Sequence, residues 1–166
     1  MTVTVNLPDY LHQWAAYRFG SPMVPVKGSP VASFLRSFLR HKSERPSNYT
    51  TQLDIRGNVN FGSIPFHIVI PHFPGRDPDY YNYLSPVAES QLRDIFRSLF
   101  DVQLYTDLTR FQSLSVKLND LVYSWLDSNG IDPTEANWLA VTKRLQLLRR
   151  RASESYRKAR KRQSPK

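Results

Sequence analysis

Apolar and polar residues alternate at the start of the chain. In "TVTVNL", Val3, Val5 and Leu7 share one side and Thr2, Thr4 and Asn6 the other, the period-two pattern of a short strand. "LPDYLHQWAAYRFG" changes to helical spacing, with Leu11, Trp14, Ala15 and Arg18 on one stripe. Pro8 and Asp9 suit its first turn, and Gly20 can close its end. The prolines of "SPMVPVKG" forbid a helix there. "GSPVASFLRSFLR" predicts a second helix: Ser29 caps, Pro30 takes the first position, and Val31, Phe34, Leu35, Phe38 and Leu39 keep helical spacing. "TQLDI", "RGN" and "VNF" predict a hairpin, "IPFHIVIP" a buried strand, and "HFPGRDPDYYNYLSP" a long loop. Ser85 and Pro86 open a helix with an inward stripe of Leu92, Ile95, Phe96, Leu99 and Phe100, and Val102, Tyr105, Leu108 and Phe111 predict another. Leu118, Leu121, Val122 and Trp125 make the next, ended by "DSNG".

The last helix has the clearest punctuation. Gly130 can take positive φ and end the preceding helix, Asp132 can cap, Pro133 fits the first position, and Glu135 has capping-box spacing. So short a connection makes the two helices angled partners. At 100° per residue, Trp138, Val141, Leu145 and Leu148 fall within roughly 80° and face the core. Ala136, Ala140, Lys143, Leu147, Arg150, Arg151, Glu154, Arg157, Lys158 and Lys161 lie opposite, flanked by Asn137 and Arg144. These elements predict an α+β protein, mainly α: a helical bundle with a short N-terminal strand, a small β segment, a C-terminal helix-turn-helix-like pair and a basic tail. Its segments are 1–45 (strand-helix-helix), 46–84 (β and loop), 85–151 (helical, with the pair at 118–151) and 152–166. Apolar positions run out in the last of these, and a disordered end is expected.

Charge sharpens this picture. Of 23 Lys and Arg in 166 residues, eleven lie between Lys143 and Lys166, against one acid, Glu154, so the rest of the chain is nearly neutral. A neutral body with one strongly basic end is the pattern of a polyanion binder. Charge alone admits DNA, RNA or an anionic membrane surface. The capped helix favours duplex DNA, with Asn137, Lys143, Arg144, Arg150, Arg151, Arg157, Lys158 and Lys161 as the contact residues. Asn can read adenine, Arg and Lys can read guanine, and the remaining bases can neutralise phosphates. The plainer alternative is a solvated helix end whose cations oppose the dipole's negative pole.

Segment 118–151 resembles a helix-turn-helix unit, with Gly130 in the turn and Ile131 after it; it departs from that unit at Leu126, four residues before the glycine, where many members carry a small residue. The stretch from "YSWLDSNGI" to "RLQLLRRR" is similar to small basic proteins of bacterial prophages and mobile elements, the sigma-region-4-like and Mor-type activators. That resemblance implies a DNA-binding transcriptional regulator in the bacterial cytoplasm. The N-terminus resembles a ribbon-helix-helix. This implies a strand paired with its twin in a homodimer, base contacts from Thr2, Thr4 and Asn6, and a phosphate held near Gly28 and Ser29.

Catalysis finds little support. There is no cysteine, hence no thiol nucleophile or zinc-thiolate site. His67 and His72 are five apart on an expected strand, so they point to opposite faces. Asp77, Asp79, Tyr80 and Tyr81 could gather around Mg²⁺, but Asp, Pro and Tyr in a loop read first as a turn. No phosphate loop, dinucleotide fingerprint or nucleophile elbow is present. The expectation is a non-enzyme with no cofactor, no metal, no leader and no membrane span. An RNA-binding or assembly protein with a generic polyanion-binding tail is the alternative.

Overall fold

A computed structural model describes residues 1–46, 63–110 and 117–163; the hairpin expected at 51–61 and the apolar position Phe111 lie outside them. The fold is α+β, mainly α. The chain divides into two units, Met1–Ser98 and Leu99–Lys166.

The first unit is built on the alternating N-terminal strand. β1 (Thr2–Pro8) buries Val3, Val5 and Leu7, as its pattern predicts. It pairs antiparallel with β3 (Ser63–Val69), from Thr2 opposite Val69 to Pro8 opposite Ser63. β3 alternates too, burying Phe66 and Ile68 while Pro65 and His67 face outward. Its other edge accepts Met23 from the proline-rich connector: Met23 N donates to His67 O (2.9 Å) and Val69 N to Met23 O (2.8 Å). β1 thus has a ladder partner in its own chain, which the ribbon-helix-helix resemblance does not include. Asn6 O, on this strand, accepts from Arg93 Nε at 2.9 Å.

Helices cover the strands. α1 (Asp9–Phe19) buries Leu11, Trp14 and Ala15, leaves Arg18 exposed, and ends at Gly20 with φ +82°. α2 (Pro30–Phe38) starts as its sequence dictates: Ala32 N donates to the Ser29 hydroxyl at 3.2 Å, and Pro30 opens the first turn. A short ladder joins β2 (Arg40–His41) to β4 (Tyr81–Tyr83).

α3 (Pro86–Arg110) is one helix where two apolar stripes are expected. Ser85 caps it through Ala88 N at 3.3 Å. Ala88, Leu92, Phe96, Phe100, Leu104 and Leu108 are buried at a constant step of four, whereas Val102 is exposed. A step of four keeps side chains on adjoining turns, so one stripe serves the whole helix. The division between the units falls within it. Phe96 meets the rings of Phe66 and Phe19 edge-on at 5.4 and 6.2 Å, the aromatic centre of the first unit.

The second unit takes the remainder of α3 with α4 (Leu118–Ser128) and α5 (Glu135–Gln163). Phe100 packs edge-on against Trp125 at 5.6 Å, and Leu104, Leu108, Val122, Leu126, Ile131, Val141 and Leu145 are buried with them. Among the described residues, no helix is long and apolar enough to cross a membrane.

Candidate nucleic-acid interface

The angled pair is set by its turn. Ile131 N donates to Leu126 O (2.9 Å) and Gly130 N to Asp127 O (3.2 Å), the two bonds of a Schellman motif. Gly130 has φ +68°, which glycine adopts at least cost. Leu126 and Ile131 are both buried, the apolar contact that accompanies this motif.

The start of α5 differs from the expected one. The cap is Thr134, not Asp132: Asn137 N donates to the Thr134 hydroxyl at 3.2 Å. Asn137 Nδ2 then reaches back to Asp132 O at 3.0 Å. The first bond satisfies a free N–H of the opening turn, and the second ties that turn to the connection before it. Asn137 is only 3% exposed. Its expected role as a base reader is therefore corrected: the side chain is spent on the turn.

Arg144 is corrected for a related reason. Its Nε donates to Asp101 Oδ1 at 2.6 Å and its Nη2 to Asp101 Oδ2, a two-pronged pair from α5 to α3. Two further polar ties join α3 to the helix pair. Gln103 Nε2 donates to Asn129 Oδ1 at 2.7 Å, and Trp125 Nε1 donates to Asp107 Oδ2 at 3.1 Å. Asn129 in turn donates to Trp125 O at 2.8 Å. These ties fix the angle of the helix pair, because each has a direction that apolar packing lacks.

Five of the six remaining candidates face solvent. Lys143, Arg150, Arg151, Arg157 and Lys158 are all exposed, and Lys161 belongs to the same helix. α5 continues past Ala152 to Gln163, and the last three residues lie outside the described ones. From Ser153 to Arg160 every residue is exposed among the described residues. Arg150 and Glu154 form an i,i+4 pair at 3.8 Å between exposed side chains, a small contribution. Ala, Arg, Lys, Glu and Gln are strong helix formers, and the first breaker after Gly130 and Pro133 is Pro165. That signal was available in the sequence. Of the expected buried stripe, Val141 and Leu145 are fully enclosed, and Trp138 and Leu148 are half-buried.

Other candidate chemistry resolves into structure. Asp77 organises a turn: its Oδ1 accepts from Asp79 N (3.0 Å) and its carbonyl from Tyr80 N and Tyr81 N. Among the described residues no three His, Asp or Glu side chains gather as a cation site. His67 bonds Thr4 Oγ1 through Nδ1 at 3.0 Å, and His12 meets Phe66 edge-on at 5.9 Å. Comparison with protein-family models, with curated proteins and with solved structures gives no match.

Proposed function

We propose that this chain is a non-catalytic nucleic-acid-binding protein that engages duplex DNA through the outward flank of α5. In our reading it acts as a transcriptional regulator of bacterial mobile-element or phage type, in the cytoplasm. One observation carries the proposal: Lys143, Arg150, Arg151, Arg157 and Lys158 are exposed on a single continuous helix. Cations on a helix are held at fixed spacing, so they meet phosphates without the entropy of ordering a loose tail. The uncovered stretch of rod matches the major groove, which is about 12 Å wide and admits a helix about 10–12 Å in diameter. With Asn137 and Arg144 engaged internally, phosphate contacts dominate, and affinity falls steeply with salt.

The test is a titration of the full chain with duplex DNA, single-stranded RNA and heparin, followed by anisotropy at several salt concentrations. A preference for duplex, with one sequence still favoured at raised salt, is the expected result. Equal binding to all three would replace the regulator with a general polyanion binder, the assembly alternative.

A further inference from the structure

A second feature of the first unit points to a ligand, and it is independent of α5. His41, Arg76, Asp77, Tyr80 and Tyr81 line an open cavity of about 400 Å³. That size falls within the range of small-molecule sites. Its rings are arranged rather than scattered. His41 lies nearly parallel to Tyr80, with centroids 5.9 Å apart and planes 10° apart, and meets Tyr81 edge-on at 5.6 Å. Two cations sit over these rings: Lys42 Nζ is 4.9 Å from the Tyr80 centroid, and the Arg76 guanidinium carbon is 5.8 Å from that of Tyr81.

The backbone holds each wall in place. His41 pairs with Tyr81 in the β2–β4 ladder, and Lys42 N donates to Tyr80 O at 2.7 Å. Arg76 N closes a turn onto Phe73 O at 3.0 Å, with Gly75 at φ +76°. The Arg76 side chain donates to the carbonyls of Arg36 and Leu39, which fixes its charge, and among the described residues no carboxylate forms an ion pair with it. His41 Nδ1 accepts from Ser43 N at 3.2 Å and lies 2.7 Å from Ser43 Oγ, which holds the ring in place.

The geometry points to a binding site for an unpaired nucleotide, its base stacked on the exposed ring of Tyr80 beside the edge-on pair of His41 and Tyr81, and its phosphate drawn to Arg76 and Lys42. Flat aromatic faces recognise any base by stacking. Fixed cations beside them suit one phosphate, not an apolar ring alone. The Asp77 carboxylate adds an acceptor for a base amino group. A free nucleotide and an exposed base of a single strand share this chemistry.

The experiment follows the ring protons of His41 by NMR in the full chain during titration with the four nucleoside monophosphates. All four histidines precede residue 73, so α5 carries none and its own binding is silent in this readout. Parallel arms use inorganic phosphate, a single-stranded octanucleotide and a duplex of the same sequence. Saturable shifts with monophosphates are expected, and Tyr80→Ala should weaken binding roughly 5- to 150-fold. Tyr80 is 51% exposed, and Tyr80→Leu, which keeps apolar bulk, gives a second variant expected to fold. Tighter binding of the octanucleotide than of monophosphates or duplex would assign the ligand to single strands; equal binding of monophosphates and octanucleotide would assign it to free nucleotides. Equal shifts with inorganic phosphate, no shift at all, or undiminished binding in both folded Tyr80 variants would overturn the site.

Discussion

Arg144 and Asp101 are locked by two parallel hydrogen bonds, between side chains only 20% and 14% exposed. Planar guanidinium and carboxylate groups match edge to edge, and each would be costly to leave alone in this position.

Arg144→Ala should therefore act on stability and not on sequence preference. The expected loss is about 2–4 kcal/mol, since a fully buried pair broken on one side costs roughly 3–5. Thermal unfolding measures the first part, and selection from a random duplex pool the second. Wild-type stability with an altered preferred site would put Arg144 back among the DNA contacts.

The α5 cap makes a second prediction. Thr134→Ala removes the hydroxyl that accepts from Asn137 N, and Asn137→Ala removes the reach back to Asp132 O. Each should cost about 1 kcal/mol, or roughly 2–4 °C in melting temperature. The two residues share one closed arrangement, so the double variant should lose less than the separate losses combined. Strictly additive losses would show that the two bonds act independently.

Removing residues 152–166 should leave the melting temperature within a few degrees, because every residue from Ser153 to Arg160 is exposed. It should lower the dependence of log affinity on log salt. Arg157→Ala alone should reduce that slope by about 0.9 for one lost phosphate contact. An unchanged slope in the truncated chain would remove the end of α5 from the interface.

Gly130→Ala should destabilise the second unit by about 1 kcal/mol, since a side chain at φ +68° is strained. Hydrogen exchange at the Ile131 amide, bonded to Leu126 O, is a local measure. Unchanged protection there would mean that the turn tolerates a Cβ.

Thr142→Val should be neutral or stabilising by up to about 1 kcal/mol. The Thr142 hydroxyl is buried without a hydrogen-bond partner among the described residues, and valine keeps the shape without the polar atom. A loss above 1 kcal/mol in denaturant unfolding would point to a partner for that hydroxyl in solution.

Local sequence determined what depends on near neighbours. Alternation set the inward face of β1, Ser29 and Pro30 set the start of α2, and Gly130 set the turn before α5. Each follows from sterics or a hydrogen bond within a few residues. The positive flank of α5 was legible for the same reason, as a consequence of helical periodicity. Tertiary structure decided the rest. On the helical wheel Arg144 borders the buried arc, and nothing nearby reveals which way it will turn, whereas the Asn137 side chain turns to Asp132 only five residues before it. Arg144 turned inward because Asp101, 43 residues earlier, waits on α3. β1 pairs with β3 across some sixty residues of chain, and their matching alternation buries one shared face. The rings around His41 likewise assemble only when β2 meets β4. Such pairings draw on groups far apart in sequence, whose proximity only the folded chain creates.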